Sequence, residues 1–168
     1  YWLNAVGGFR VRVGPGAYAG VAGMNSVDTS TVVSYSERGS KAYEDPMNKN
    51  FLYGDITVRF LGKISFQPDD MDILDIGCGT GFVFDELLDP FRERNMRGTG
   101  IEPAEGMLKI AIEKHENEEM FSFDTGSFEK IPPDDKSQDK IISTLALHWV
   151  KSLEVATAEM RRVLARGG

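Results

Sequence analysis

Ile73-Leu74-Asp75-Ile76-Gly77-Cys78-Gly79-Thr80-Gly81 is the stretch whose reading decides the fold. Its first four residues are an apolar run carrying one acid, the pattern of a short buried strand. Glycines then fall at alternate positions, and Phe82-Val83-Phe84-Asp85-Glu86-Leu87-Leu88 resumes with apolar residues at helical spacing. A strand that breaks on glycines and restarts as a helix gathers main-chain N–H groups at one point. Without Cβ atoms, the glycines let a ligand lie against the chain and let the turn take unusual φ/ψ values. The stretch therefore reads as a ligand-binding turn.

Which ligand it takes follows from the spacing. The dinucleotide fingerprint G-x-G-x-x-G puts its third glycine where Phe82 stands, whereas here that glycine comes early, at Gly81. An NAD-dependent oxidoreductase is thus the weaker alternative. A P-loop needs G-K-[ST], which is absent. D-x-G-x-G-x-G behind a strand instead resembles motif I of the class I S-adenosyl-L-methionine (SAM) dependent methyltransferases, in their type 11, small-molecule branch. The resemblance implies an α/β, Rossmann-like, doubly wound and mainly parallel sheet, with strands ordered 3-2-1-4 and the family's C-terminal strands missing. It also implies transfer of a methyl group from SAM to a small-molecule acceptor, leaving S-adenosyl-L-homocysteine. A SAM-binding assembly or regulatory protein without transferase activity is the second reading.

Bulk properties agree with one domain. The chain has 168 residues, 41% of them hydrophobic and 27% charged, ordinary values for a globular protein with a core of its own. A net charge of −7 argues against a nucleic-acid backbone as partner. No apolar run approaches the roughly 18 residues of a membrane span, and the N-terminus lacks the pattern of a signal peptide, so a cytoplasmic setting is expected. The single cysteine, Cys78, excludes an internal disulfide and a cysteine-rich metal site; no metal is expected.

Residues 1–23 are rich in glycine, although Phe9-Arg10-Val11-Arg12-Val13 alternates as a short strand does. Residues 1–30 read as an extension or appended segment and 31–168 as the domain. Val32 to Asp45 resembles the family's N-terminal cap helix, with Tyr35 and Tyr43 on one face; the resemblance brings Tyr43 towards the methionine end of the cofactor or the acceptor. Phe51 to Ile64 has apolar residues at Phe51, Leu52, Ile56, Val58, Phe60, Leu61 and Ile64, which suits a core-facing helix.

A second strand, Arg97 to Ile101, ends on Glu102, an acid placed to accept from both hydroxyls of a ribose. Pro103-Ala104-Glu105-Gly106-Met107-Leu108 resembles the family's next helix start, where Met107 or Leu108 flanks the adenine. His115 reads as a solvated helix residue. Met120 to Phe123 reads as the third strand. Gly126-Ser127-Phe128-Glu129-Lys130-Ile131-Pro132 resembles G-D-A-E-x-L-P, with Ser127 in place of the acid that takes the adenine amino group and the Phe128 N–H beside the ring. Asp139 to Thr144 is the fourth strand. Leu147-His148-Trp149-Val150 resembles the segment bordering the acceptor, where His148 is a candidate base. Leu153 to Leu164 has a helix's apolar stripe at Leu153, Ala156, Met160, Val163 and Leu164. By the resemblance, Gly77, Cys78, Gly79 and Gly81 hold the methionine part with Asp75 near its ammonium, Glu102 the ribose, and Pro103, Met107, Ser127 and Phe128 the adenine end.

Overall fold

The computed structural model describes residues 2–4, 10–12, 44 and 54–168. The expected cap helix with Tyr35 and Tyr43, the boundary at residue 30 and residues 51–53 lie outside them. Near the N-terminus, β1 (Trp2–Asn4) pairs antiparallel with β2 (Arg10–Arg12), Trp2 opposite Arg12. The stretch that alternates as a short strand does forms β2, paired antiparallel with β1.

The main sheet holds β3 (Asp72–Ile76), β4 (Arg97–Ile101), β5 (Phe121–Asp124) and β6 (Lys140–Ile142) in the order β5-β4-β3-β6, all parallel. This is the order 3-2-1-4 of a doubly wound half-sheet. Strand β3 is central and almost wholly buried, as parallel strands covered on both faces are. Its residues alternate between the two faces. Ile73 packs with Val83, Phe84, Leu87, Phe91, Met96 and Ile142 on one side. Leu74 and Ile76 pack with Ile101, Phe128, Ile131, Ala156 and Val163 on the other.

Strand β4 carries glycines where strands usually avoid them, and the packing explains why. A Cβ on Gly98 would lie 2.5 Å from Cε1 of Phe84, and one on Gly100 would lie 2.7 Å from Cδ1 of Phe123 and 2.9 Å from Sγ of Cys78. Rings lie directly on the strand backbone. Phe84 is the hub, edge-on to Phe91 and Phe123 at centroid distances of 5.8 and 5.5 Å and tilted against Phe121 at 4.7 Å.

Helix α1 (Asp55–Leu61) ends at Gly62, ahead of the expected Ile64, and turns a different face inwards. Thr57 and Leu61, one turn apart, are buried, while Ile56, Val58 and Phe60 are exposed. Two turns ending at Gly62 present only one i,i+4 stripe to the core. The segment after the glycine bend forms two short helices, α2 (Phe82–Glu86) and α3 (Leu88–Arg94), broken at Leu87; Pro90 sits in the first turn of α3, where its missing N–H costs nothing. Helix α4 (Glu105–Lys114) buries Met107, Leu108 and Ala111. Helix α5 (Leu153–Val163) buries Ala156 and Val163, and the hydroxyl of its N-cap Ser152 accepts from the Val155 N–H at 3.3 Å. Leu153, expected on the buried stripe, is 66% exposed.

Candidate functional site

The glycine bend is stitched to the neighbouring strand before any ligand is considered. The N–H groups of Gly77 and Cys78 both donate to the Ile101 carbonyl, at 2.8 and 3.1 Å, and Gly81 N–H closes the turn onto the Cys78 carbonyl at 2.9 Å. Gly77, Gly79 and Gly81 all have positive φ, at 76°, 55° and 84°, where a side chain is strained. Their surroundings differ. A Cβ on Gly77 would meet Cβ of Ala146 at 2.4 Å, and one on Gly81 would meet Cε1 of His115 at 2.6 Å. Gly79 has only the Met107 thioether, at 3.8 Å. Of the three, Gly79 alone would meet its neighbours at an ordinary contact distance, although it is itself buried. Cys78 turns its thiol into the core, with burial holding the thiol well above its ordinary pKa; only its main chain borders the bend.

Two carboxylates converge here. Glu102 is buried at the tip of β4; Oε2 accepts from the Gly79 N–H at 3.1 Å and Oε1 from the Ala104 N–H at 2.9 Å. Burial pushes its pKa up, and those N–H groups pull against the rise. Asp75, inside the last turn of β3, is fully buried, and among the described residues neither carboxylate oxygen has a hydrogen-bond partner. Desolvation, with the Glu102 charge adding to it, raises its pKa to about 8. Orphaned buried acceptors are costly, and a pair of them beside the glycine bend suits a cationic or hydrogen-donating group. Met107 forms the apolar wall, while Pro103 is exposed.

On the far side of β4, Ser127 and Lys130 close a tight turn through reciprocal main-chain bonds of 3.0 and 3.1 Å. The Phe128 side chain is in the core, so that its backbone is what the turn presents. The turn is tied to the acceptor-side segment by Glu129, whose Oε1 accepts from the N–H groups of Lys151 and Ser152 at 2.6 and 3.2 Å. His148 lies in a 3-10 turn, Leu147–Trp149, exposed, with its ring 4.5 Å from that of Trp149. Partial burial lowers its pKa from the usual histidine value, so it is neutral at pH 7.

Tyr43 lies outside the described residues, but Glu44, directly after it, reaches the bend. The buried Thr80 hydroxyl donates to Glu44 Oε1, and Lys114 Nζ stands 3.8 Å from Glu44 Oε2, 3.0 Å from the Thr80 carbonyl and 2.6 Å from Asp85 Oδ2. His115, expected in solvent, is buried: Nδ1 lies 2.9 Å from the Ala111 carbonyl, Nε2 3.1 Å from Asp85, and the ring sits on Phe123 at 5.3 Å. It continues the stripe Leu108, Ala111, His115 at helical spacing, a signal that its polarity hid. The long-range roles of Glu129 and Lys114 carried no sequence signal, since the Lys151 N–H and the Thr80 carbonyl that they meet lie 22 and 34 positions away along the chain.

A protein-family model described as "Methyltransferase domain" matches residues 74–168. Malonyl-[acyl-carrier protein] O-methyltransferase of Hahella chejuensis is 34% identical over 109 residues, covering 64% of this chain and 38% of that protein. The enzyme of the same name from Methylococcus capsulatus is 31% identical over 130 residues, 77% of this chain and 44% of that protein. The chain thus spans about two fifths of the length of these relatives. A SAM-dependent methyltransferase from Aquifex aeolicus shares the fold with a TM-score of 0.58 at 22% identity, over 83% of this chain and 69% of that one. The family match starts on β3 and takes in the bend, every later strand and α5, more than half of the sequence, and this chain accordingly belongs to the type 11 methyltransferase-domain family, whose cofactor is SAM.

Proposed function

We propose that this chain binds SAM across the carboxyl ends of β3, β4 and β5 and transfers its methyl group to the carboxylate of a small or carrier-borne acyl molecule. The observation that carries the reading is the buried Glu102–Gly79 contact beside the orphaned Asp75. Open parallel sheets take ligands beyond the carboxyl ends of their strands. Gly77, Cys78, Gly79, Gly81 and Asp75 lie at the tip of β3, Glu102, Pro103 and Met107 at or after that of β4, and Ser127 and Phe128 after β5. A methionine amine placed against Asp75 favours its ionised form, relieving the desolvation that the bare carboxylate carries.

SAM supplies an electrophilic methyl group on a sulfonium. What the chain adds is positioning and exclusion of water. The malonyl-carrier relatives support a carboxylate acceptor, and a carboxylate is already a nucleophile at neutral pH. No general base is then required, which agrees with His148 standing exposed on its 3-10 turn. His148→Ala is expected to leave kcat within a few-fold; a loss of the 100-fold scale typical of a removed base would point to a hydroxyl or amine acceptor instead. Tyr43 is proposed to border the same acceptor.

The test is calorimetric titration of SAM into the protein and into Glu102→Ala. A weakening by about 1–3 kcal/mol is expected from the loss of charge-assisted hydrogen bonds. Unchanged affinity would place the ribose elsewhere, and NADH binding tighter than SAM would replace the reading by the oxidoreductase one. Tight SAM binding without transfer to acyl acceptors would leave a SAM-binding assembly or regulatory protein.

A further inference from the structure

Ser127 stands beside Glu129 in an arrangement that gives its hydroxyl a direction. The Ser127 hydroxyl donates to Glu129 Oε2 at 3.3 Å, and Ser127 Oγ accepts from the Glu129 N–H at 3.2 Å. A serine oxygen has one proton and two lone pairs. Its proton is committed to a carboxylate and one lone pair to an N–H, so what remains is a single lone pair, an acceptor. Glu129 is itself held: its other oxygen takes the N–H groups of Lys151 and Ser152. Burial works to raise its pKa, but the N–H groups of Lys151 and Ser152 and the Ser127 hydroxyl outweigh it and keep the carboxyl below the usual range. It is an anion at neutral pH and can only accept. A Cβ on Gly126, directly before the turn, would lie 3.0 Å from Cβ of Ile101, the residue before Glu102, so the turn stands beside the site proposed for the ribose.

We propose that Glu129 is a positioning residue that sets the polarity of the Ser127 hydroxyl, so that this turn selects a base presenting an amino group over one presenting a carbonyl. The proposal rests on the SAM reading of the site. It adds a determinant of which nucleoside is accepted, in a carboxylate that touches the hydroxyl and not the ligand.

The informative variant is Glu129→Gln. The glutamine carbonyl can keep the Lys151 and Ser152 N–H groups while its amide NH2 faces Ser127. The hydroxyl must then accept from the amide and turn its own proton outwards, where it meets a base carbonyl and not an amino group. The probes are S-adenosyl-L-homocysteine and S-inosyl-L-homocysteine, which differ in carrying an amino or an oxo group on the base, each titrated calorimetrically into the whole chain. The wild type is expected to prefer the adenine compound by roughly tenfold, the scale of one neutral hydrogen bond; Glu129→Gln should abolish or invert that preference, and Ser127→Ala should bring the ratio near one without inversion. Thermal unfolding of each variant checks that the turn still folds, and a merely structural role for Glu129 would lower both affinities together. A wild-type ratio in a folded Glu129→Gln overturns the proposal. Failure of the wild type to bind the adenine compound at millimolar concentration would overturn the SAM reading and this inference with it.

Discussion

Asp75→Asn is expected to stabilise the unliganded protein, most of all at alkaline pH, while weakening its hold on SAM. Asp75 is fully buried, and its main-chain neighbours in register are Gly100 and Ile142, which offer no countercharge. Desolvation, then repulsion from Glu102, raises its pKa from 3.8 to about 8. For an acid whose folded pKa lies above its unfolded one, the native state holds the extra proton between the two values. Unfolding then releases protons, and stability falls as pH rises from about 4 to about 8. A shift of this size corresponds to something on the order of 5 kcal/mol across that window, and the raised pKa of Glu102 slopes the same way. Asparagine keeps the shape and has no charge to desolvate. Urea denaturation at pH 5 and pH 8 should therefore show a falling stability in the wild type and a flatter one in Asp75→Asn. Parallel curves would mean that Asp75 is solvated or paired in solution. Calorimetry on the same variant should show SAM binding weakened by about 1–3 kcal/mol, since a cationic amine loses its anionic partner. Opposite signs for stability and binding are the mark of a group kept for its ligand and not for the fold.

Gly77→Ala should cost the fold about 2–4 kcal/mol. A left-handed φ of 76° strains an alanine by roughly 1 kcal/mol. Its methyl group would also stand 2.4 Å from Cβ of Ala146, and forcing the two apart in packed surroundings costs about 1–3 kcal/mol. Ala146 is itself part of the core on the α5 side, so the clash pushes the segment leading to His148 away from the bend. Gly79→Ala provides the control. It carries the same conformational strain, but its Cβ would meet only the Met107 sulfur, at an ordinary contact distance of 3.8 Å. Stability should fall by about 1 kcal/mol, whereas SAM affinity should fall further, because the methyl group occupies the surface proposed for the ligand. Denaturation and titration of both variants separate the two outcomes. Equal effects on stability would mean that the Ala146 side of the bend yields freely.

Much of the architecture was readable along the chain. Ile73-Leu74-Asp75-Ile76, Arg97 to Ile101 and the run around Ile141 each became a parallel strand in the expected order, since short apolar runs between helices leave few ways to cover both faces of a sheet. Positions of helix faces were less legible. Ile56, Val58 and Phe60 point outwards and Thr57 inwards, because a two-turn helix is oriented by what it packs on and its own apolar count has little weight. His115 was read by its polarity, yet a buried ring with Nδ1 at the Ala111 carbonyl, Nε2 beside Asp85 and its face tilted against Phe123 is as much a core group as the phenylalanines round it.

What the linear order determined on its own was the strand–glycine–strand–acid grammar: a turn between Asp75 and Phe82 that no bulky residue permits, and Glu102 one strand further on. Those features are local, set by φ/ψ and by alternation along a strand. What the tertiary structure alone decided was the use of each glycine and the partner of each acid. Gly77 and Gly81 make room for Ala146 and His115, Gly79 is left in ordinary contact with Met107, Glu102 folds onto it, Asp75 has no partner among the described residues, and Glu129 joins a turn after β5 to the start of α5. Each of these depends on atoms brought together from distant positions, and the energy of a buried charge or a close contact exists only once the low-dielectric, close-packed interior has formed around it.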